Sequence, residues 1–444
     1  MENRVISPGG ALRGTLKTPG DKSISHRSAI LSALAKPSSP VILSNYSTGN
    51  DCQKTLQCLR ALGVKIYTRK KTSPSTIKIT PPGLQNLKEP KNILNCGNSG
   101  TTMRLLCGVL SSLPFYSVLT GDQSLRERPM DRVTDPLKKM GAEIFGRQGG
   151  KFPPLSITGG NLSAIEHQSN VPSAQVKSAI LLAGLSAEGE TWVSENSPSR
   201  DHTERMLFHF GVEILNFSPG VKPRGHLRVG VRGGSIPEAR SMEIPGDISS
   251  AAFFMAGALI LENSELTIQG VGLNSTRTGF LEVIKKMGAQ YDILSFQEEG
   301  EPRGDIRIKY QPLQPFSVGG SMVPTLIDEI PIMAVLATQA HGVSTIKDAQ
   351  ELRIKESDRL KAISENLKAM GANIEEKHDG LIIEGPTRLR GTVLNSFGDH
   401  RIAMAMAIAS LVAEGDSLLK GAACASISFP GFYEKLEELR PGRR

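Results

Sequence analysis

Five times along the chain an apolar residue, two variable positions, a bulky apolar residue, Gly, and then Ala or Val follow one another. These tags occupy residues 59–64, 137–142, 207–212, 284–289 and 367–372. Their glycines, Gly63, Gly141, Gly211, Gly288 and Gly371, stand 78, 70, 77 and 83 residues apart. Each tag predicts a helix end whose glycine takes left-handed geometry, followed by a short strand such as 64–66 or 143–145. Upstream of each, a turn rich in Gly, Pro, Ser or Asp opens an Ala-rich apolar helix. Such openings occur near Asp21, Asn98, Ser173, Asp247, Asp328 and Asp399, which makes six. Segments apolar nearly all round, such as 251–261 and 402–412, are expected to be buried helices, each paired with a surface helix. The sixth copy ends in a predicted helix over 432–439 with no strand after it. That leaves the strand-like N-terminal segments to complete it.

Three copies apiece give two similar domains, with crossings near Pro19-Gly20 and Pro245-Gly246. On this reading, residues 1–20 and 245–444 form a discontinuous domain one, and residues 21–244 form domain two. At 444 residues the chain exceeds what one hydrophobic core usually serves, and its 39% apolar, 22% charged composition suits an ordinary soluble protein. A net charge of +8, from 52 basic and 44 acidic residues, fits nucleic acid, a membrane surface or small polyanionic substrates. The charges are dispersed and aromatics make up only 5%, which argues against a nucleic-acid platform. No stretch has the apolar length of a membrane span and the first residues lack a signal-like apolar region, so a cytoplasmic protein without a membrane partner is expected. Five cysteines without metal-ligand spacing point to free thiols and no structural metal.

Candidate chemistry sits at the helix starts, where free backbone N–H groups and the helix dipole favour an anion. The first start, residues 19–27, brings Lys22, Ser23 and Arg27 together, with Ser23 or Ser25 as the expected cap and Lys22 just before the first turn. A capped helix with a solvated basic end is the plain alternative. The second start, 97–102, offers flexible backbone around Gly100 without the lysine of a nucleotide-binding P-loop. The third supplies Ser173, Ala174 and Gln175, and a loop over 125–130 carries Arg126 and Arg128. The second half adds Asp328 and Glu329, then Lys355, Glu356, Asp358 and Arg359, then Asp399, His400 and Arg401. Solvated, salt-bridged helix ends are the alternative for each of these, with Asp358 holding Arg359 and His400 serving a cap.

Taken in order, residues 20–27, 97–101, 127–129, 173–175, 355–359 and 399–401 resemble the 3-phosphoshikimate 1-carboxyvinyltransferase (EPSP synthase) family, in its second class. The resemblance implies an α/β fold of two similar domains, each with three βαβαββ units whose buried helices point their N-termini at an interdomain cleft. It implies transfer of the carboxyvinyl group of phosphoenolpyruvate to the 5-hydroxyl of shikimate 3-phosphate by addition and elimination. That reaction uses no metal or organic cofactor, and the enzyme would be a monomer. By the same resemblance Lys22 touches both substrates and Gln175 lies between them, with Lys355 near the shared centre. Ser23 and Arg27 take the shikimate carboxylate, while Ser173, Ala174 and Arg200 take the 3-phosphate. Gly100, Arg128, Arg359 and Arg401 hold phosphoenolpyruvate. Asp328 accepts the hydroxyl proton, and Glu356 and Lys22 are the candidates for proton exchange at the methylene carbon. Two departures stand out: Leu105 where many members have Pro, and no lysine near Ile427 and Pro430. The related UDP-N-acetylglucosamine enolpyruvyl transferases carry a reactive cysteine in a loop whose counterpart here, 121–132, has none. A nonenzymatic RNA-binding scaffold built from similar units is the rival of another class.

Overall fold

The repeat seen in sequence is a structural unit. In chain order the helices that carry it are Lys22–Leu34 (α1), Asn50–Ala61 (α2), Gly100–Ser111 (α3), Asp131–Lys139 (α4), Ala174–Gly184 (α5) and His202–His209 (α6). The remainder are Ile248–Ile260 (α7), Gly279–Lys286 (α8), Ile330–Ala337 (α9), Arg359–Ala369 (α10), His400–Leu411 (α11) and Phe432–Glu438 (α12). The computed structural model describes residues 2–68, 75–219, 227–298 and 300–440. Odd-numbered helices are buried nearly throughout and even-numbered ones expose one face. The second copy shows the whole pattern: Leu94–Asn95, α3, Tyr116–Thr120, α4, Glu143–Gly146 and Phe152–Thr158. The first two strands are parallel, and the last lies antiparallel between the second and third.

All five tag glycines have positive φ, from +77° to +108°. Each helix end closes with the same two hydrogen bonds. At the first, Gly63 N–H donates to the Arg60 carbonyl and Val64 N–H to the Leu59 carbonyl. The tag is therefore a Schellman end whose first and last apolar residues are both buried. The sixth copy has Arg440 where the glycine would stand. Its guanidinium instead donates to the carbonyls of Ser7, Pro8 and Gly9, pinning the chain start against α12.

Two compact units result, Met1–Pro19 with Pro245–Arg444 (the terminal unit) and Gly20–Ile244 (the inserted unit), each with its own hydrophobic core. Chain crossings complete the copies at each seam. Met242–Glu243 pairs in parallel with Val41–Ser44 as the first strand of copy one. Arg13–Lys17 does the same for Glu265–Gly272 in copy four, and Arg4–Ile6 lies antiparallel to Ser417–Lys420 to finish copy six. Among the described residues, no single helix is long and apolar enough to cross a membrane.

Candidate active site

Within the inserted unit the buried helices run side by side with their N-termini at one end. Gly108 is what lets α3 and α5 approach, since a Cβ there would lie 2.2 Å from the Ala179 carbonyl oxygen. One turn nearer the helix starts, Arg104 Nη1 donates to Gln175 Oε1 at 2.6 Å, and Gln175 Nε2 donates to Thr101 Oγ1 at 2.9 Å. α1 is capped by Asp21, which accepts from the Ile24 N–H, rather than by Ser23 or Ser25 as the sequence suggested. Gly20 packs so tightly on the Asn45 carbonyl that a Cβ would fall 1.7 Å from it, which fixes the turn just ahead of Asp21. Lys22 is thus the first helical residue, not one that precedes the helix, and Ser23 and Ser25 lie inside the first turn.

Lys22 Nζ meets Asp51 Oδ2 at 3.1 Å, so a carboxylate from α2 fixes the ammonium. Arg27 is buried and donates to Thr203 Oγ1 and Ser178 Oγ, each at 2.7 Å, and to the Ser23 carbonyl at 3.0 Å. α3 is capped by Ser99, whose hydroxyl accepts from Thr102 N–H. Gly100 opens it with its Cα toward Arg104 and Arg128. Arg128 is held by Asn98 Oδ1 at 2.8 Å and by Ser124. The sequence placed Arg126 beside it on a loop. Instead Arg126 ends an exposed helical turn that Asp122 caps. Ser173 stands at the α5 N-cap without making a capping bond, Ala174 follows as the first helical residue, and Arg200 lies half-buried just before α6.

The terminal unit gathers its own helix starts. Asp328 was expected to open α9, but Glu329 is the N-cap and Pro331 occupies the first turn, which leaves Asp328 on the short connection after Val323–Leu326. Its carboxylate faces Arg359 Nη1 at 3.4 Å and Arg401 Nη2 at 3.5 Å. Arg359 is buried and also binds Glu356 Oε2 at 2.6 Å and Asp399 Oδ2 at 2.7 Å. Asp358 does not hold Arg359. It caps α10 through Lys361 N–H and pairs with Arg353. The cap position turns its carboxylate back over its own helix start, so Asp399, the N-cap of α11, takes the guanidinium instead. Lys355 lies half-buried immediately before Glu356, where a 3-10 turn ends.

Burial lowers the pKa of the Arg359 guanidinium, but Asp399, Glu356 and Asp328 outweigh it and the net shift is upward. The His26 imidazole is held well below its ordinary value by burial and then by the Lys22 and Arg27 charges, so it is neutral at pH 7. It contacts Thr55 Oγ1 at 2.6 Å, from which hydroxyls run through Thr102 to Ser99. Sequence reasoning missed Arg104 and Asp51. Arg104 had a usable signal, since it lies one helical turn from Gly100 on the same face. Asp51 had none, because only folding brings α2 against α1.

A family model described as EPSP synthase (3-phosphoshikimate 1-carboxyvinyltransferase) matches residues 6–436. A 3-phosphoshikimate 1-carboxyvinyltransferase from Desulforamulus reducens is 50% identical over 98% of this chain and 99% of its own. One from Pelotomaculum thermopropionicum is 49% identical, covering 96% of each. The solved EPSP synthase structure from Acinetobacter baumannii superposes with a TM-score of 0.86 at 40% identity, over 99% of this chain and 98% of that one. The enolpyruvyl transferase NikO from Streptomyces tendae shares the fold, with a TM-score of 0.76 at 17% identity.

Proposed function

The chain belongs to the EPSP synthase family, and from that premise we infer how its residues divide the family's reaction. The protein transfers the carboxyvinyl group of phosphoenolpyruvate to shikimate 3-phosphate, forming 5-enolpyruvylshikimate 3-phosphate and phosphate. The observation that carries the residue assignment is that, within each unit taken by itself, named cations and carboxylates gather at the starts of the buried helices. In the inserted unit, Ser23 and Arg27 take the shikimate carboxylate. Ser173, the Ala174 N–H and Arg200 take the 3-phosphate, and Gln175 lies between the substrates. Gly100 N–H, Arg128 and Lys22 take phosphoenolpyruvate, and Arg104 holds Gln175 in register.

From the terminal unit, Arg359 and Arg401 bind phosphoenolpyruvate and Lys355 contacts shikimate 3-phosphate. Asp328 takes the 5-hydroxyl proton as that oxygen adds to C2 of phosphoenolpyruvate, while C3 receives a proton from Lys22 or Glu356. The C2–O bond to phosphate then breaks as C3 gives up a proton, which restores the double bond. Arg359 and Arg401 flank the Asp328 carboxylate and hold it in place for contact with that hydroxyl. We infer that the enzyme is cytoplasmic and a monomer, the latter supported by one chain supplying every group named. Phosphate release should require both shikimate 3-phosphate and phosphoenolpyruvate. Release with either one alone, or with neither UDP-sugar nor shikimate acceptors distinguished, would reject the assignment. Light scattering at working concentration checks the monomer.

A further inference from the structure

Ser173 and Arg200 come from different segments, yet one buried carboxylate accepts from the backbone of Ser173 and from that of Ser199, the residue before Arg200. Lys177 lies in α5, whose buried residues after Ser178 are all apolar, and is 5% exposed. Its Nζ meets Glu195 Oε2 at 2.8 Å and Glu204 Oε1 at 2.7 Å, and those residues are 3% and 1% exposed. Glu195 ends the strand Glu190–Glu195. Its Oε1 accepts from the Ser173 N–H and its Oε2 from the Ser199 N–H, both at 3.3 Å. Glu204 grips the same ammonium from the first turn of α6. Buried ion pairs seldom add net stability over an apolar core of the same volume, because desolvation cancels most of the attraction. A role in geometry accounts for this triad better than a role in stability.

We propose that Lys177 and Glu195 are positioning residues for the 3-phosphate of shikimate 3-phosphate. Lys177 fixes Glu195, and Glu195 ties the backbone at Ser173 to the backbone at Ser199, so that Ser173 Oγ and the Arg200 guanidinium keep one spacing. The proposal rests on the reading of Ser173 and Arg200 as phosphate contacts given above. It separates Glu195 from Glu204, since both neutralise Lys177 but only Glu195 is the shared acceptor for the two segments.

Steady-state kinetics on Glu195→Gln and Glu204→Gln test it, because an amide at 195 offers one acceptor oxygen where two are used. Glu195→Gln should raise KM for shikimate 3-phosphate by about tenfold, the scale on which small misplacements act. KM for phosphoenolpyruvate and kcat should stay in place, and binding of shikimate, which lacks the phosphate, should not change. Glu204→Gln should lower the melting temperature and leave KM for shikimate 3-phosphate where it was. Equal effects of the two substitutions on that KM, or none from Glu195→Gln, overturn the proposal. Should Glu195→Gln fail to fold, Glu195→Asp keeps the charge beside Lys177 but withdraws it from the two N–H groups, and the same KM signature is required. Arg200→Ala separates the underlying reading. If it leaves KM for shikimate 3-phosphate unchanged, the phosphate assignment itself is wrong. If it raises that KM while Glu195→Gln does not, only the positioning role fails.

Discussion

The two units are built from the same repeat, but the groups seen to hold Arg27, Arg104 and Arg128 differ in kind from those that hold Arg359. In the inserted unit Arg27, Arg104 and Arg128 are gripped by hydroxyl, amide and carbonyl oxygens from Thr203, Ser178, Gln175, Pro129 and Asn98. In the terminal unit Arg359 is gripped by three carboxylates, those of Asp328, Glu356 and Asp399. A guanidinium steered by neutral oxygens keeps its charge for an incoming anion. One steered by carboxylates gives much of that charge to its partners and fixes them in return. On the assignment proposed above, arginines of both units bind anions, and the carboxylate grip on Arg359 also holds Asp328 and Glu356 in place. Similar folds thus carry different groups at their helix starts because the residues there differ.

Asp328→Asn tests that contrast most severely. Because Asp328 is not a helix cap, its loss as a base is separable from any capping effect. Turnover should fall by about 10²- to 10⁴-fold, the usual scale for a general base. Glu356 and Asp399 still hold Arg359, so the melting temperature should barely move and shikimate 3-phosphate should still bind by calorimetry. Turnover near the parent value would remove the catalytic assignment. Next in size is Asp399→Asn. Asparagine can still cap α11, but it leaves buried Arg359 short of the one carboxylate fully buried with it, and breaking a buried pair costs about 3 kcal/mol or more. Denaturant unfolding should show that loss. A change below about 1 kcal/mol, the level of an exposed pair, would mean that the carboxylates of the terminal unit are not what fixes Arg359.

Gly100→Ala sharpens the other side of the comparison. Gly100 is not among the positive-φ glycines, so the backbone itself tolerates alanine. The new methyl would stand 2.8 Å from Arg104 Nη1 and 3.6 Å from Arg128 Nη1. Arg104 can yield only by releasing Gln175 or the Pro129 carbonyl. KM for phosphoenolpyruvate should rise by about tenfold with little change in melting temperature, since a roughly 1 Å shift of positioning groups is enough. Parallel rises in both KM values would show a general disturbance instead.

The repeat was legible because its signal is local: five Schellman ends have the same spacing of apolar residues about a glycine, and each needs only its own six residues to form. Helix starts were legible to within a residue or two. Which residue stood at the N-cap was not, because Asp21 and Glu329 were set by events elsewhere, the packing of Gly20 on Asn45 and the position of Pro331. The candidate residues themselves could be named, yet their partners could not. Asp51 reaches Lys22 across 29 residues and Thr203 reaches Arg27 across 176, distances over which no periodicity carries information. Asp358 shows the same limit from the other side, for adjacency in sequence suggested a pairing with Arg359 that helix geometry forbids.

The smallest expected effect concerns how the inserted unit keeps its neutral setting. His26 lies between Lys22 and Arg27 in α1 and is fully enclosed, with Nδ1 against Thr55 Oγ1. Burial, then the two neighbouring cations, depress its folded-state pKa well below 6.5. The unfolded chain therefore takes up the proton first as pH falls. The stability this group contributes is intact above about pH 6.5 and drains away beneath it, at up to about 1.4 kcal/mol per pH unit until the folded pKa is reached. Between pH 7 and pH 5.5 that amounts to about 1 kcal/mol. Other groups titrate over the same range, so the measurement is a difference: denaturant unfolding of the parent and of His26→Asn, whose amide reaches Thr55 but takes no proton. The parent should lose about 1 kcal/mol more than the variant across that interval. Parallel losses would mean that His26 can be charged inside the fold, and that the hydroxyl chain from Thr55 through Thr102 to Ser99 accommodates a third cation beside Lys22 and Arg27.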